Sequence, residues 1–402
     1  MKILITADWH IGKKLHNEDL SEDMNLYFDW LLGKIKENGI HYLLVAGDIF
    51  DNNNPSNESS RMYYAFMTRL NALNCKAIII AGNHDSPSFI DVPKDLLSEF
   101  NIAVFGLFPG IDKVEEIFVP LKDDHGNEVA VVAAIPFLQD RFVRQVGEGE
   151  GAKEIAEKIK QGMKTLFAQI GAAMKNKYPS IPKIGMAHLH AQGTEISEAE
   201  REIQIGNQEG IASVDLDQFD YLALGHIHTG QPVIKGKIQY ASSPISLGFS
   251  ENKYNHKVVM LNIENNQITE TDIPVEKNRS LYQLKGTMNE VEENIKKLKN
   301  KYKLQVLLDI QITEEVFDPT ITDRLEALKE MLVVKNEMKI INTRISYNDK
   351  KAARFSTNYN TNELNDIKPL DVFKTLIEDR TDEEKAKLLE KFSEIIADTT
   401  QA

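Results

Sequence analysis

The chain has little of several things. Of its 402 residues one is a cysteine, Cys75. A lone thiol cannot close an internal disulfide, so a reducing cytoplasm fits, and Cys75 reads as a small core residue. No apolar run approaches a membrane span, and the opening MKILITADWH turns polar too soon for a secretory signal. Positive charge is also short: 47 Lys and Arg against 61 Asp and Glu leave a formal net charge of −14. Nucleic-acid binding usually rests on a positive face. A polyanionic substrate would therefore need a local source of positive charge, and bound metal ions are one. The rest of the composition, 42% hydrophobic and 27% charged, is that of a globular chain long enough for two or three domains.

Apolar runs alternate with helical patterns from the start. KILITAD, HYLLVAGD and CKAIIIAGNHD read as strands. Between the first two, SEDMNLYFDWLLGKIKENG sets Met24, Phe28, Leu31, Leu32 and Ile35 at helical spacing, with Ser21 as N-cap and Gly39 as stop. SSRMYYAFMTRLNAL is a second helix, and Met62, Tyr63, Tyr64, Phe66 and Met67 are more bulk than one buried face needs. Such alternation builds a parallel sheet with crossover helices, and strands this apolar have both faces covered. KDDHGNEVAVVAAIPF reads as a hairpin, and a long helix follows with Ile155, Ile159, Met163, Leu166, Phe167 and Ile170 on one stripe. ENKYNHKVVMLNIENNQITETDIPV reads as a closing hairpin that turns at ENNQ.

Polar residues collect where these strands end, which is where open α/β sheets bind ligands. The first strand delivers Asp8 and His10, the second Asp48 and Asp51, the third Asn83, His84 and Asp85. IPKIGMAHLHAQG then offers His188 and His190, and FDYLALGHIHTG offers His226 and His228. Each piece alone has a plain reading, as a capped turn, an Asx turn or a satisfied core histidine. Five such segments in one domain do not. Asp8, His10, Asp48, Asn83, one of His188 or His190, His226 and His228 are too many donors for one tetrahedral zinc. They suit two ions of higher coordination that share a carboxylate, with manganese, iron and zinc all open. Two ions roughly 3.5–4 Å apart can activate water for in-line phosphoryl displacement. The reaction class is phosphoester hydrolysis.

ITADWHIG, LLVAGDIFD, IIAGNHDSP, MAHLHAQG and YLALGHIHTGQ, followed by YASSPISLGFSE, resemble the calcineurin-like metallophosphoesterase signature. More closely they resemble the SbcD family, nuclease subunits of the bacterial SbcCD complex. The resemblance implies an α/β protein with a four-layer αββα core over residues 1–275. It implies that Asp8, His10, Asp48 and His228 take one divalent ion, most often manganese, and Asp48, Asn83, His188 and His226 the other. It chooses His188 over His190, which the residues alone leave open. His84 would then be catalytic without binding metal, protonating the leaving oxygen or stabilising phosphoryl charge, while Asp85 supports that site by holding backbone or imidazole. Asp51 stands where some relatives have a histidine, so a phosphate-contacting role there is not expected.

Around residue 280 the pattern becomes strand, charged helix, strand, helix, strand, a small α+β domain over 280–350 that resembles a capping domain guiding DNA. STNYNTNELND reads as a flexible linker within 351–366. Two amphipathic helices follow over 367–402. The first clusters Val372, Phe373, Leu376 and Ile377; the second opens with a capping box from Thr381 to Glu384 and stripes Leu388, Leu389, Phe392, Ile395 and Ile396. The resemblance makes this pair the binding segment for an SbcC-type, SMC-like ATPase, and makes the chain a homodimer through helices near residues 61–70. It implies 3′–5′ exonuclease action on duplex DNA ends and endonuclease action on single strands and hairpins, in repair and recombination. The alternative is a related phosphoesterase for small phosphodiesters or phosphoproteins.

Overall fold

The computed structural model describes residues 1–143, 151–196, 210–316, 318–348 and 380–399, with 373 and 377. The linker read at 351–366, and most of the helix after it, lie outside the described residues. Contacts divide the chain into two units: 1–283, 299–309 and 332–342 form the first, and 284–298, 310–331 and 343–402 the second.

The first unit opens β1 (Lys2–Thr6), α1 (Ser21–Asn38), β2 (Tyr42–Ala46), α2 (Asn57–Ala72), β3 (Lys76–Ile80) and β4 (Ile102–Phe105). β1 to β4 run parallel. The hairpin β11 (Lys257–Glu264) and β12 (Gln267–Pro274) joins antiparallel on the far side of β1, giving the order β12-β11-β1-β2-β3-β4. A second sheet holds β5 (Phe118–Lys122), β6 (Glu128–Ile135), β7 (Lys183–His188), β8 (Tyr221–Gly225), β9 (Pro232–Ile234) and β10 (Ile238–Tyr240), in the order β9-β10-β8-β7-β6-β5. The helix α3 (Ala152–Lys177) lies in the chain between β6 and β7.

Side chains alternate faces along each strand, so each sheet feeds two cores. Ile3, Ile5, Leu44, Ala46, Ile78 and Ile80 pack with Val132, Ala134, Met186, Tyr221 and Ala223 in one cluster between the sheets. The intervening residues Leu4, Leu43, Val45, Ala77 and Ile79 face α1 and α2. Val131, Ala133, Ile135, Leu222 and Leu224 pack with Phe167, Ile170 and Met174 of α3. This is the four-layer αββα arrangement. Helix α1 differs from expectation at its start: Ser21 is its first helical residue, and the Asp19 carboxylate accepts the Ser21 N–H at 2.7 Å. Gly39 ends the helix in the left-handed region, as read. In α2, Tyr63, Phe66 and Met67 are fully buried, and Met62 and Tyr64 pack partly buried against the same core.

Further along the chain β13 (Leu281–Gly286), β14 (Val306–Glu314) and β15 (Met338–Tyr347) form a sheet in that order, with the helices α4 (Met288–Lys297) and α5 (Ile321–Lys335). A full capping box, Thr287 with Glu290, starts α4. The box read at Thr381 and Glu384 also forms, at the head of α6 (Asp382–Thr399).

The two sheets approach closely where β8 ends. A methyl group at Gly225 would overlap the carbonyl oxygen of Ala46 on β2. Gly225→Ala is expected to cost about 1–3 kcal/mol through overpacking. Gly33, exposed on α1 with open space around it, is the opposite case; Gly33→Ala should add about 0.5–1 kcal/mol through helix propensity. Urea midpoints of the two variants, moving in opposite directions from the parent, check both.

Candidate metal centre

Every residue read as a ligand follows the carboxyl end of a strand or is its last residue: Asp8 and His10 after β1, Asp48 after β2, Asn83 after β3, His188 closing β7, His226 and His228 after β8. In β7 and β8 the parallel register sets Gly225 beside His188. The backbone is then bent to aim the side chains. Asp8, His10, Asp48 and His226 have φ of 53°, 45°, 49° and 101°. These are left-handed conformations that side chains other than glycine adopt uncommonly, and each stores strain. Ladder-like bonds hold the bends: Asp8 N–H donates to Gly47 O and His10 N–H to Asp48 O, both at 3.0 Å.

The side chains converge in two neighbouring groups. In one, ligand atoms of Asp8, His10 and His228 all lie within 4.8 Å of one another; in the other, so do those of Asp48, His188 and His226. Asp48 stands between them, its Oδ2 3.5 Å from His10 Nε2 and 3.3 Å from His188 Nε2. Asn83 Oδ1 lies 2.9 Å from both His188 Nε2 and His226 Nδ1. A methyl group at Gly82 would overlap Asp48 Oδ1, so that position must stay bare for the carboxylate to sit here.

His190 is not part of either group. It lies past the end of β7, so it does not share a strand face with His188, and its ring is 6.5 Å from that of His226. His84 comes within the same 4.8 Å of His10 and Asp48. Its Nδ1 is 2.7 Å from the Asp51 carbonyl oxygen, and its backbone N–H donates to Asp48 Oδ1 at 2.9 Å. The Asp51 carboxylate sits 3.4 Å from His10 Nδ1 and 3.1 Å from Lys13 Nζ. One buried acid beside the centre is not foreseen from the sequence: Glu251, 2.7 Å from His228 Nδ1. Nothing local in SLGFSENK marks it, because a glutamate in a polar turn ordinarily faces water.

Electrostatics shows what these donors want. Asp8, His10, Asp48 and His188 are buried. Burial pushes Asp8 up to about 7, against the pull of His188 and His228. It pushes His10 down to about 4. Burial opposes the charge of Asp48 too, yet His188 beside it holds that carboxyl well below the ordinary range. Burial likewise opposes charge on His188, and Asp48 nevertheless raises it to about 9. His226 is driven well below its ordinary value by burial and by His188. His188 Nδ1 is spent on the Ala46 carbonyl at 2.9 Å, so the added proton of the cation sits on Nε2, among Asp48 Oδ2 and Asn83 Oδ1. That proton does what a divalent ion would do better. Asp8 Oδ2 and His10 Nε2 are buried with no hydrogen-bond partner at all. Lone pairs that face one another in a dry place, with mixed nitrogen and oxygen donors and a central carboxylate, fit a pair of hard-to-borderline divalent cations.

Asp85 works on the backbone. One oxygen accepts the N–H groups of Ile49 (3.0 Å) and Gly82 (2.8 Å), the other that of Phe50 (2.9 Å). It ties the loop after β2 to the loop after β3, which are the loops that carry Asp48 and Asn83. Burial, with Asp48 nearby, raises it to about 6. Asp85→Ala should leave three buried N–H groups unpaired and cost about 3–5 kcal/mol. Urea unfolding measures the loss, and faster amide exchange at Ile49, Phe50 and Gly82 locates it.

Two family models match the chain. A family model described as calcineurin-like phosphoesterase matches residues 1–230. A second, described as the type 5 capsule protein repressor C-terminal domain, matches residues 277–381. The SbcD subunit of the SbcCD nuclease of Escherichia coli (strain K12) is 28% identical over 344 residues, covering 83% of this chain and 84% of its own. Its counterpart of the same name from Rhodobacter capsulatus is 33% identical over 271 residues, 65% of this chain and 66% of its own. A solved dimetal phosphatase from Danio rerio aligns over 68% of this chain and 95% of its own at 11% identity, with a TM-score of 0.40, too low to add weight. The chain belongs to the calcineurin-like phosphoesterase family and is similar along most of its length to that family's SbcD nucleases.

Proposed function

We propose that this chain is an SbcD-type, metal-dependent DNA nuclease that hydrolyses phosphodiester bonds. The observation that carries the reading is Asp48 standing between two donor groups beside His84, in a chain whose named relatives are nucleases. Asp8, His10, Asp48 and His228 would hold one divalent ion, and Asp48, Asn83, His188 and His226 the other. Bound ions, manganese in this proposal, supply positive charge and a polarised water for attack on phosphorus. Asp48 would serve both ions, and its Oδ1 accepts the backbone N–H of His84, so the shared carboxylate and the imidazole are tied together. With Nδ1 tied to the Asp51 carbonyl, His84 has Nε2 left to meet substrate. An imidazole there donates a proton to the leaving oxygen or stabilises charge on the phosphoryl group. Asp85 keeps the loops of Asp48 and Asn83 in register.

Charge bears on the substrate as well. At −14 the chain repels DNA except where cations sit, so isolated it should bind duplex weakly and with strong salt dependence. An SbcC-type ATPase, docked on the C-terminal helices, would supply the rest. Residues 280–350 would cap the core and guide DNA, and a second copy would dock near α2. The cutting modes in this proposal are those the family resemblance implies: 3′–5′ from duplex ends, and endonucleolytic on single strands and hairpins.

The test is cleavage of linear duplex and of single-stranded DNA with manganese, with chelator, and with and without the ATPase and ATP. Asp48→Asn should abolish metal uptake and cleavage. His84→Ser should keep metal uptake by calorimetry and lose 10²–10⁴-fold in kcat, the usual share of general acid catalysis. Equal trace activity in parent and both variants would make the chain a scaffold. Turnover of a small phosphodiester with DNA left intact would favour the other phosphoesterase reading.

A further inference from the structure

His228 differs from His188 in what stands behind it. His188 hands its Nδ1 to a backbone carbonyl, that of Ala46. His228 hands its Nδ1 to a carboxylate, Glu251, in the short turn Phe249–Lys253. Glu251 is fully buried, at 0% exposure. Its Oε1 is 2.7 Å from His228 Nδ1, and its Oε2 accepts the Leu247 N–H at 2.7 Å. The turn is itself pinned: Ser246 Oγ donates to the Glu251 carbonyl at 3.3 Å and lies 3.2 Å from His256 Nε2. Burying a carboxylate is costly unless its charge has a use. Accepting one backbone N–H is not such a use, because a neutral amide could do it.

We propose that Glu251 is a positioning residue for the metal centre, fixing His228 as the Nδ1–H tautomer so that Nε2 presents its lone pair to an ion shared with Asp8 and His10. A carboxylate is an acceptor at both oxygens, so the short bond to Nδ1 requires the proton to be on Nδ1. A charged acceptor also makes the imidazole a stronger donor at its other nitrogen. The two donor groups are therefore unequal. The group of Asp8, His10 and His228 has Glu251 at 2.7 Å from His228 Nδ1 and the Asp51 carboxylate at 3.4 Å from His10 Nδ1; in the group of Asp48, His188 and His226 a neutral carbonyl stands behind His188. The inference rests on the metal-dependent reading above and assigns Glu251 to one of its two ions.

Glu251→Gln is the informative change. If the new amide oxygen faces Nδ1–H, its NH₂ meets the Leu247 N–H, donor against donor. If it turns over, NH₂ donates to Nδ1 and drives the proton to Nε2, which removes the lone pair from the centre. The full chain, labelled with ¹⁵N-histidine and free of metal at pH 8, reports the tautomer by NMR. His228 should be Nδ1–H in the parent and move to Nε2–H, or to a mixture, in the variant. Titration with Mn²⁺ alone should show one of two binding events weakened 10–100-fold and the other unchanged. Glu251→Asp, which keeps the charge, should recover part of that loss. Thermal unfolding of the metal-free variants controls for folding.

A Glu251→Gln protein with His228 still Nδ1–H and both Mn²⁺ events as in the parent overturns the proposal. So does equal weakening of both events together with a lower metal-free Tm, which is the signature of a structural role. If the parent itself takes up no Mn²⁺ and cuts no DNA, the nuclease reading fails. The tautomer measured without metal still judges Glu251.

Discussion

The centre depends on one carboxylate kept charged in a dry place. Asp48 is buried, and its surroundings would drive it to protonate if histidines did not face it. Its Oδ2 reaches the donors of two groups, and its Oδ1 is bonded to the backbone of His84. Moving this side chain by an ångström would lose the carboxylate that stands between the two groups. Its position rests in turn on a missing side chain: Gly82 leaves the space that Asp48 Oδ1 fills.

Strain and compensation are arranged around it. Four predicted ligands lie in the left-handed region, at about 1–3 kcal/mol each when such conformations are forced. The cost is met by parallel strands buried on both faces and by Asp85, whose carboxylate takes three backbone N–H groups from the two loops. The same bends that strain the backbone turn side chains from adjacent strands toward a common point. A relaxed β-strand would have sent alternate residues to opposite faces.

Charge shapes the molecule at two scales. Globally the chain is acidic, which keeps it apart from other polyanions. Locally, lone pairs crowd together, and in the metal-free chain a proton on His188 makes up part of the missing positive charge. Asp8 cannot share in that balance without protonating near neutral pH, since burial outweighs its histidines. A divalent cation resolves both conflicts at once, which is why the donor set argues for metal chemistry.

Hydrophobic patterning was enough to read β1 to β3, β7, β8, the closing hairpin, the helices α1 to α3 and the loops that carry polar residues, because burial on both faces makes a strand an apolar run and burial on one face gives a helix its 3.6 period; it did not show β4, β9 or β10. Capping at Thr381 and the stop at Gly39 were legible because both are local chemistry. The start of α1 was not, because Leu20 takes the N-cap position and the Ser21 N–H is taken by the Asp19 carboxylate. The choice between His188 and His190 was undecidable from spacing, since it turns on a strand that stops at His188. Glu251 was invisible for a similar reason, as it lies 23 positions from His228 along the chain and 2.7 Å from it in space. Sequence by itself determined which donors exist and that each follows a strand. Only the tertiary structure decided which of them meet, because backbone bends and the approach of two sheets set distances that periodicity does not carry.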